Sequence, residues 1–127
     1  MVGSNNRDPL SDRVIGLAIE VHRQLGPGLL ETAYEACLCY ELHAAGIAHL
    51  RQVPLPILYK STRLECGYRM DLVVDGKLVI EIKSVEKLLP LHEAQLLTYL
   101  KLSGIRTGLL LNFNAMLLKD GIKRMVL

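Results

Sequence analysis

The chain has no tryptophan and a single phenylalanine among its 127 residues. Any core it builds is therefore mainly aliphatic. It has no excess of one charge, since 15 Lys and Arg against 13 Asp and Glu leave a formal net charge of +2. A balance so near neutral gives no broad basic footprint for nucleic acid, so any grip on a phosphate backbone must come from local placement of Lys and Arg. The three cysteines, Cys37, Cys39 and Cys66, are odd in number and lack metal-ligand spacing. That argues against a disulfide framework and against zinc; Cys37 and Cys39 fall in a helical pattern as core fillers. No secretory apolar region opens the chain, and no apolar run reaches the ~18 residues of a membrane span. The expectation is a cytoplasmic, reduced setting with no membrane attachment. Internal repeats and low-complexity tracts are also missing.

What remains is an ordinary globular composition, half hydrophobic and 22% charged. The length suits one domain over residues 1–127, with 1–7 as a flexible tail. The informative stretch is Gly67–Lys83 (GYRMDLVVDGKLVIEIK). It reads as two apolar strands joined by an Asp75-Gly76 turn. Inside them sit three charges, Asp71, Glu81 and Lys83. Burying charge costs several kcal/mol unless the group is paired or binds a metal. A magnesium site with a catalytic lysine answers that cost; a salt-bridged hairpin is the plainer alternative.

Face alternation sharpens the choice. Glu81 and Lys83 point one way, Ile80 and Ile82 the other. A two-residue turn would pair Val74 with Lys77 and send Asp71 to the opposite face from Glu81. A three-residue loop, with Gly76 as the left-handed residue of a bulge, brings Asp71 onto the face of Glu81 and Lys83. The chemistry requires the second register, although the first is the default for Asp-Gly.

The rest of the chain supplies the frame. Asp8-Pro9 marks a helix start, followed by an apolar stripe from Leu10 to Leu25 and a stop at Gly26-Pro27-Gly28. A second helix is expected from about Leu29 to Ala45. It carries Glu31, Tyr34, Glu35, Leu38 and Leu42 on one face. Acids at a helix N-terminus often serve only the dipole, which fits Glu31 better than Glu35. One strand is expected from Leu50 to Tyr59, marked as an edge or bulge by Pro54 and Pro56, and another from Arg63 to Cys66. A third helix begins near Pro90 and ends at Gly104. Gln95 and Tyr99 lie one turn apart on it and can aim at a common target. Thr107–Phe113 reads as a buried strand parallel to an earlier one, and Lys119-Asp120-Gly121 closes a last hairpin.

This order of elements resembles the restriction-endonuclease-like core of the PD-(D/E)XK nuclease superfamily, an α/β fold with a mixed central sheet flanked by helices. Asp71 followed by Glu81-Ile82-Lys83 resembles its signature, with Met70 in place of the motif's proline. Gln95-Leu96-Leu97-Thr98-Tyr99 resembles the Q-x-x-x-Y motif of the RecB-like branch. Gly28-Leu29-Leu30-Glu31-Thr32-Ala33-Tyr34 matches the signature of the bacterial GxxExxY proteins, with further likeness at Val21-His22-Arg23, His92-Glu93-Ala94-Gln95 and Asn112-Phe113-Asn114. The resemblance implies a phosphodiesterase acting on nucleic acid, DNA above all, with magnesium or manganese. It implies Asp71, Glu81 and the Ile82 carbonyl as metal ligands and Lys83 as the catalytic lysine. Glu31 would orient water or hold a second ion, and Gln95 and Tyr99 would fix the scissile strand or Lys83. The rival readings are a nucleic-acid-binding module that keeps the fold without cutting, and an assembly subunit. A chain this small would grip a duplex with the help of a second copy, as a homodimer, or of a partner protein.

Overall fold

The computed structural model describes residues 8–127; the expected tail at 1–7 lies outside the described residues. The first helix, α1 (Pro9–Leu25), starts where its cap chemistry places it. Asp8 accepts the Leu10 N–H at 3.1 Å, and Pro9 stands at the first helical position. Helix α2 (Glu31–Ala44) follows. Five strands then form one sheet in the order β1 (His49–Pro54), β4 (Arg69–Val74), β5 (Leu78–Lys83), β6 (Thr107–Asn112) and β7 (Ile122–Val126). Only the β5–β6 pair is parallel. Its crossover is α3 (Pro90–Ser103), which ends at Gly104 in the left-handed conformation. A 3-10 turn at Leu118–Gly121 precedes β7.

The expected strand from Leu50 to Tyr59 is two strands. β1 ends at Pro54 and stays on the sheet edge, as its prolines require. β2 (Ile57–Tyr59) turns away to pair with β3 (Thr62–Leu64) in a separate hairpin. Past Pro54 the Leu55 N–H still donates to the Tyr68 carbonyl at 2.9 Å and its side chain dips into the core, and Pro56 has no N–H with which to continue.

Helices α1 and α2 cover one face of the sheet. Their Val14, Ala18, Val21, Tyr34, Leu38 and Leu42 pack with Leu72, Val74, Leu78, Ile80 and Ile82, all even-numbered strand positions. Helix α3 covers the other, packing Leu96, Tyr99 and Leu100 against Val73, Val79 and Leu110. Strands buried on both faces explain the near-continuous apolar runs of β4, β5 and β6.

The Gly28–Tyr34 segment is a fastening. Tyr34 is fully buried, its ring stacked on Phe113 at 4.5 Å. Its hydroxyl donates to the Gly26 carbonyl at 2.6 Å and accepts the Leu29 N–H at 3.1 Å. Gly28 sits at φ +100, a conformation that side chains resist. Tyr34→Phe would strip both partners from the hydroxyl while keeping the ring. We expect a loss of about 1–3 kcal/mol, read as a melting temperature several degrees lower with unchanged circular dichroism.

Candidate active site

The β4–β5 turn decides the geometry. Asp75 and Gly76 have φ of 52 and 65, as a type I′ turn needs. The Lys77 N–H closes the turn onto the Val74 carbonyl at 2.9 Å. The register nevertheless pairs Val74 with Leu78, Val73 with Val79 and Leu72 with Ile80. Lys77 is thus the extra residue of a three-residue loop. The parity shift puts Asp71 with Glu81 and Lys83 on the α3 face, opposite Ile80 and Ile82. This is the register the charges were expected to demand.

Regular pairing of the two strands ends at Leu72 and Ile80, and the carboxylates take over the backbone beyond it. The Asp71 N–H donates to Glu81 Oε2 at 2.9 Å, and the Ile82 N–H donates to Asp71 Oδ2 at 2.7 Å. Each acid therefore holds the other's strand. Glu81 is only 4% exposed. Burial, and then the charge of Asp71, push its pKa from 4.5 up to about 8. Asp71 is half-buried, and its pKa is also raised, chiefly by burial, against the pull of the Ile82 N–H. Neither acid forms an ion pair with Lys or Arg among the described residues.

Lys83 is tied to α3. Its Nζ donates to Gln95 Oε1 at 3.3 Å, and Gln95 Nε2 donates to Tyr99 Oη at 3.1 Å. Gln95 thus aims at Lys83, while Tyr99 bonds Gln95 and not the lysine. Tyr99 is buried, and its pKa is raised by burial and by the charge of Glu81, so it remains a neutral phenol. The strand end behind Lys83 is fixed from β6. The Phe113 N–H donates to the Lys83 carbonyl at 2.9 Å, and buried Asn112 clamps both backbone groups of Val85.

Glu31 is the first residue of α2, and its side chain reaches the exit of β5. Its Oε2 accepts the Ser84 N–H at 3.2 Å while Ser84 Oγ donates to the Leu29 carbonyl. Glu31 is exposed, yet its charge raises the Glu81 pKa. Its carboxylate bonds the backbone at the exit of β5 and makes no direct contact with Asp71 or Glu81 among the hydrogen bonds of the site.

Three further residues belong to the cluster and were not read as such from the sequence. Glu35 is 5% exposed and ion-paired to Arg51 Nε. Gln52 Nε2 donates to Glu35 Oε1 at 2.9 Å and lies 3.4 Å from Asp71 Oδ1. Gln52 has φ 54 in the middle of β1, a left-handed strand residue that costs about 1–2 kcal/mol. The only sequence signal was Glu35 itself, an acid on the stripe of Leu38 and Leu42. Gln52→Gly relieves the backbone and removes the amide beside Asp71. We expect unchanged or higher stability together with a roughly ten- to hundredfold loss of divalent-metal affinity, measured by titration calorimetry with manganese.

The donor set suits a hard divalent cation. Buried Glu81 and half-buried Asp71, neither ion-paired to Lys or Arg among the described residues, are oxygen donors of the kind magnesium and manganese take. No cluster of three or more His, Cys, Asp or Glu side chains gathers around a common point among the described residues, so a backbone carbonyl and water would complete the shell.

In comparisons with known proteins, the family model of the PD-(D/E)XK nuclease superfamily matches residues 8–125. No curated protein and no solved structure matches.

Proposed function

This chain belongs to the PD-(D/E)XK nuclease superfamily, and we propose from that premise that it is a metal-dependent deoxyribonuclease of the RecB-like branch, akin to the GxxExxY proteins. The observation that carries the reading is the convergence of Asp71, Glu81 and Lys83 on one sheet face, with Lys83 held by Gln95. Among the described residues neither acid has an ion pair with Lys or Arg, and Lys83 is fastened to Gln95 instead. A salt-bridged hairpin would instead set the lysine directly on an acid.

Magnesium or manganese, held by Asp71, Glu81 and the Ile82 carbonyl, would supply Lewis-acid activation of a phosphodiester and of water. The chain does the rest. Gln95 holds the Lys83 ammonium where negative charge grows on the phosphate, and a preorganised donor of this kind does its work in the transition state. Tyr99 keeps the Gln95 amide turned toward Lys83. Glu31, at the exit of β5, accepts hydrogen bonds from water entering the site. The crossed bonds, from the Asp71 N–H to the Glu81 carboxylate and from the Ile82 N–H to the Asp71 carboxylate, fix the carboxylate spacing before substrate arrives. Three free cysteines support a reduced, cytoplasmic setting, and no helix among the described residues is long and apolar enough to cross a membrane.

The test is cleavage of single-stranded, double-stranded and branched DNA in magnesium or manganese, with EDTA and Asp71→Ala controls. Metal-dependent cleavage lost in Asp71→Ala supports the reading. DNA that is bound equally in EDTA and never cut would make the chain a binding module on a nuclease fold. Cleavage that survives Asp71→Ala would sink the site.

A further inference from the structure

We propose that the apolar cleft beside Lys83 seats unpaired nucleobases, so that the site acts on single-stranded nucleic acid. The inference rests on the nuclease reading for its class of ligand and deepens it by naming the substrate form. The cleft holds about 800 Å³ and is lined by Tyr68, Tyr99, Leu91, His92, Ile57 and Leu102, with Lys83 and Gln95 also in its wall. It is therefore continuous with the candidate active site, since Lys83, Gln95 and Tyr99 belong to both.

The lining identifies the occupant. Tyr68 is 48% exposed and meets Tyr99 in a T-shaped contact, with ring centroids 6.4 Å apart. Half of the Tyr68 side chain is thus accessible in a residue that lines the cleft. Leu91, in the first turn of α3, is 74% exposed, and packing of the core makes no use of it. Exposed aromatic and aliphatic groups beside a lysine suit the flat faces of bases, which stack on aromatic side chains when unpaired. A duplex hides those faces and presents phosphates, and a chain of net charge +2 offers few cations to answer them. The volume lies in the range of pockets for small organic ligands, room for a nucleotide or two beside the scissile bond. Ile57, at the base of the β2–β3 hairpin, and Cys66, just past β3, complete the wall.

Fluorescence anisotropy of a labelled oligothymidylate, and of the matching duplex, in EDTA tests this without any need for cleavage. The parent protein is expected to bind the single strand more tightly than the duplex. Tyr68→Ala should weaken single-strand binding roughly tenfold, and Tyr68→Phe and Tyr68→Trp should retain it. Leu91→Glu, at a position too exposed to disturb folding, should weaken it as well. Duplex binding as tight as single-strand binding would overturn the proposal. So would single-strand binding unchanged in both Tyr68→Ala and Leu91→Glu, or no binding of nucleic acid by the parent. A protein that binds single strands through Tyr68 yet cuts nothing in magnesium would keep this inference and refute the nuclease. One that cuts duplex DNA through Asp71 with no role for Tyr68 would do the reverse.

Discussion

Replacing Lys83 by alanine is expected to slow phosphodiester cleavage by roughly a hundred- to a thousandfold, the usual effect of removing one preorganised donor from a developing charge. The loss should fall on the maximal rate more than on substrate binding, because the ammonium acts on charge that grows only in the transition state. Lys83→Arg should restore little. A planar guanidinium is a poor replacement for a compact ammonium that bonds Gln95 at 3.3 Å. Gln95→Ala should cost less than Lys83→Ala, since it frees the lysine without removing it. Stability should change little in each case, because Lys83 is half-buried at a strand end. Single-turnover cleavage beside thermal melts gives both readouts. A Lys83→Ala protein that cuts at the parent rate would remove the lysine from the mechanism.

The sequence made the site legible through one conflict. Default turn chemistry at Asp75-Gly76 and the cost of stranding a carboxylate against Ile80 and Ile82 pointed to opposite registers. Burial energetics prevailed, by the insertion of Lys77 into the loop. The left-handed pair at Asp75 and Gly76 kept its local preference, so the two demands were met by different residues. Cap chemistry at Asp8, Pro9, Pro90 and Gly104 also placed helices well, because caps act through neighbours in sequence. Less legible was whatever depends on distant partners. The prolines at 54 and 56 marked an edge, yet the departure of β2 into its own hairpin depends on pairing with β3. The Glu35, Arg51 and Gln52 cluster joins a helix to a strand 16 or 17 residues away. The left-handed φ of Gln52 has no local signature at all, since glutamine is not a residue that favours it. The role of Gln95 as a tether for Lys83 likewise needed the α3 crossover to be seen in place.

The second large effect concerns stability and follows from the acid pair. In EDTA the protein is expected to lose stability as pH rises from about 5 to about 8. Glu81 has its folded-state pKa raised from 4.5 to about 8 by burial and by Asp71. A carboxyl with a raised folded pKa holds its proton better in the folded state than in the unfolded one. Its contribution is full below the unfolded value and is lost as pH climbs through the folded value. At about 1.4 kcal/mol per unit, this amounts to several kcal/mol at most, a large share of the stability of a small domain. Asp71 is shifted the same way, and the two titrate as a pair. Magnesium should reverse the loss at about pH 8, because a cation that binds only the folded state stabilises it by mass action. Glu81→Gln removes the charge and keeps the shape and one acceptor for the Asp71 N–H. It should flatten the pH dependence, melt higher than the parent in EDTA at about pH 8, and gain nothing from magnesium. Melting curves across that pH range, with and without magnesium, read all three outcomes. A parent whose melting point in EDTA holds or rises toward pH 8, and is unmoved by magnesium, would show that the acids are already compensated within the protein. The cation site would then have no electrostatic basis.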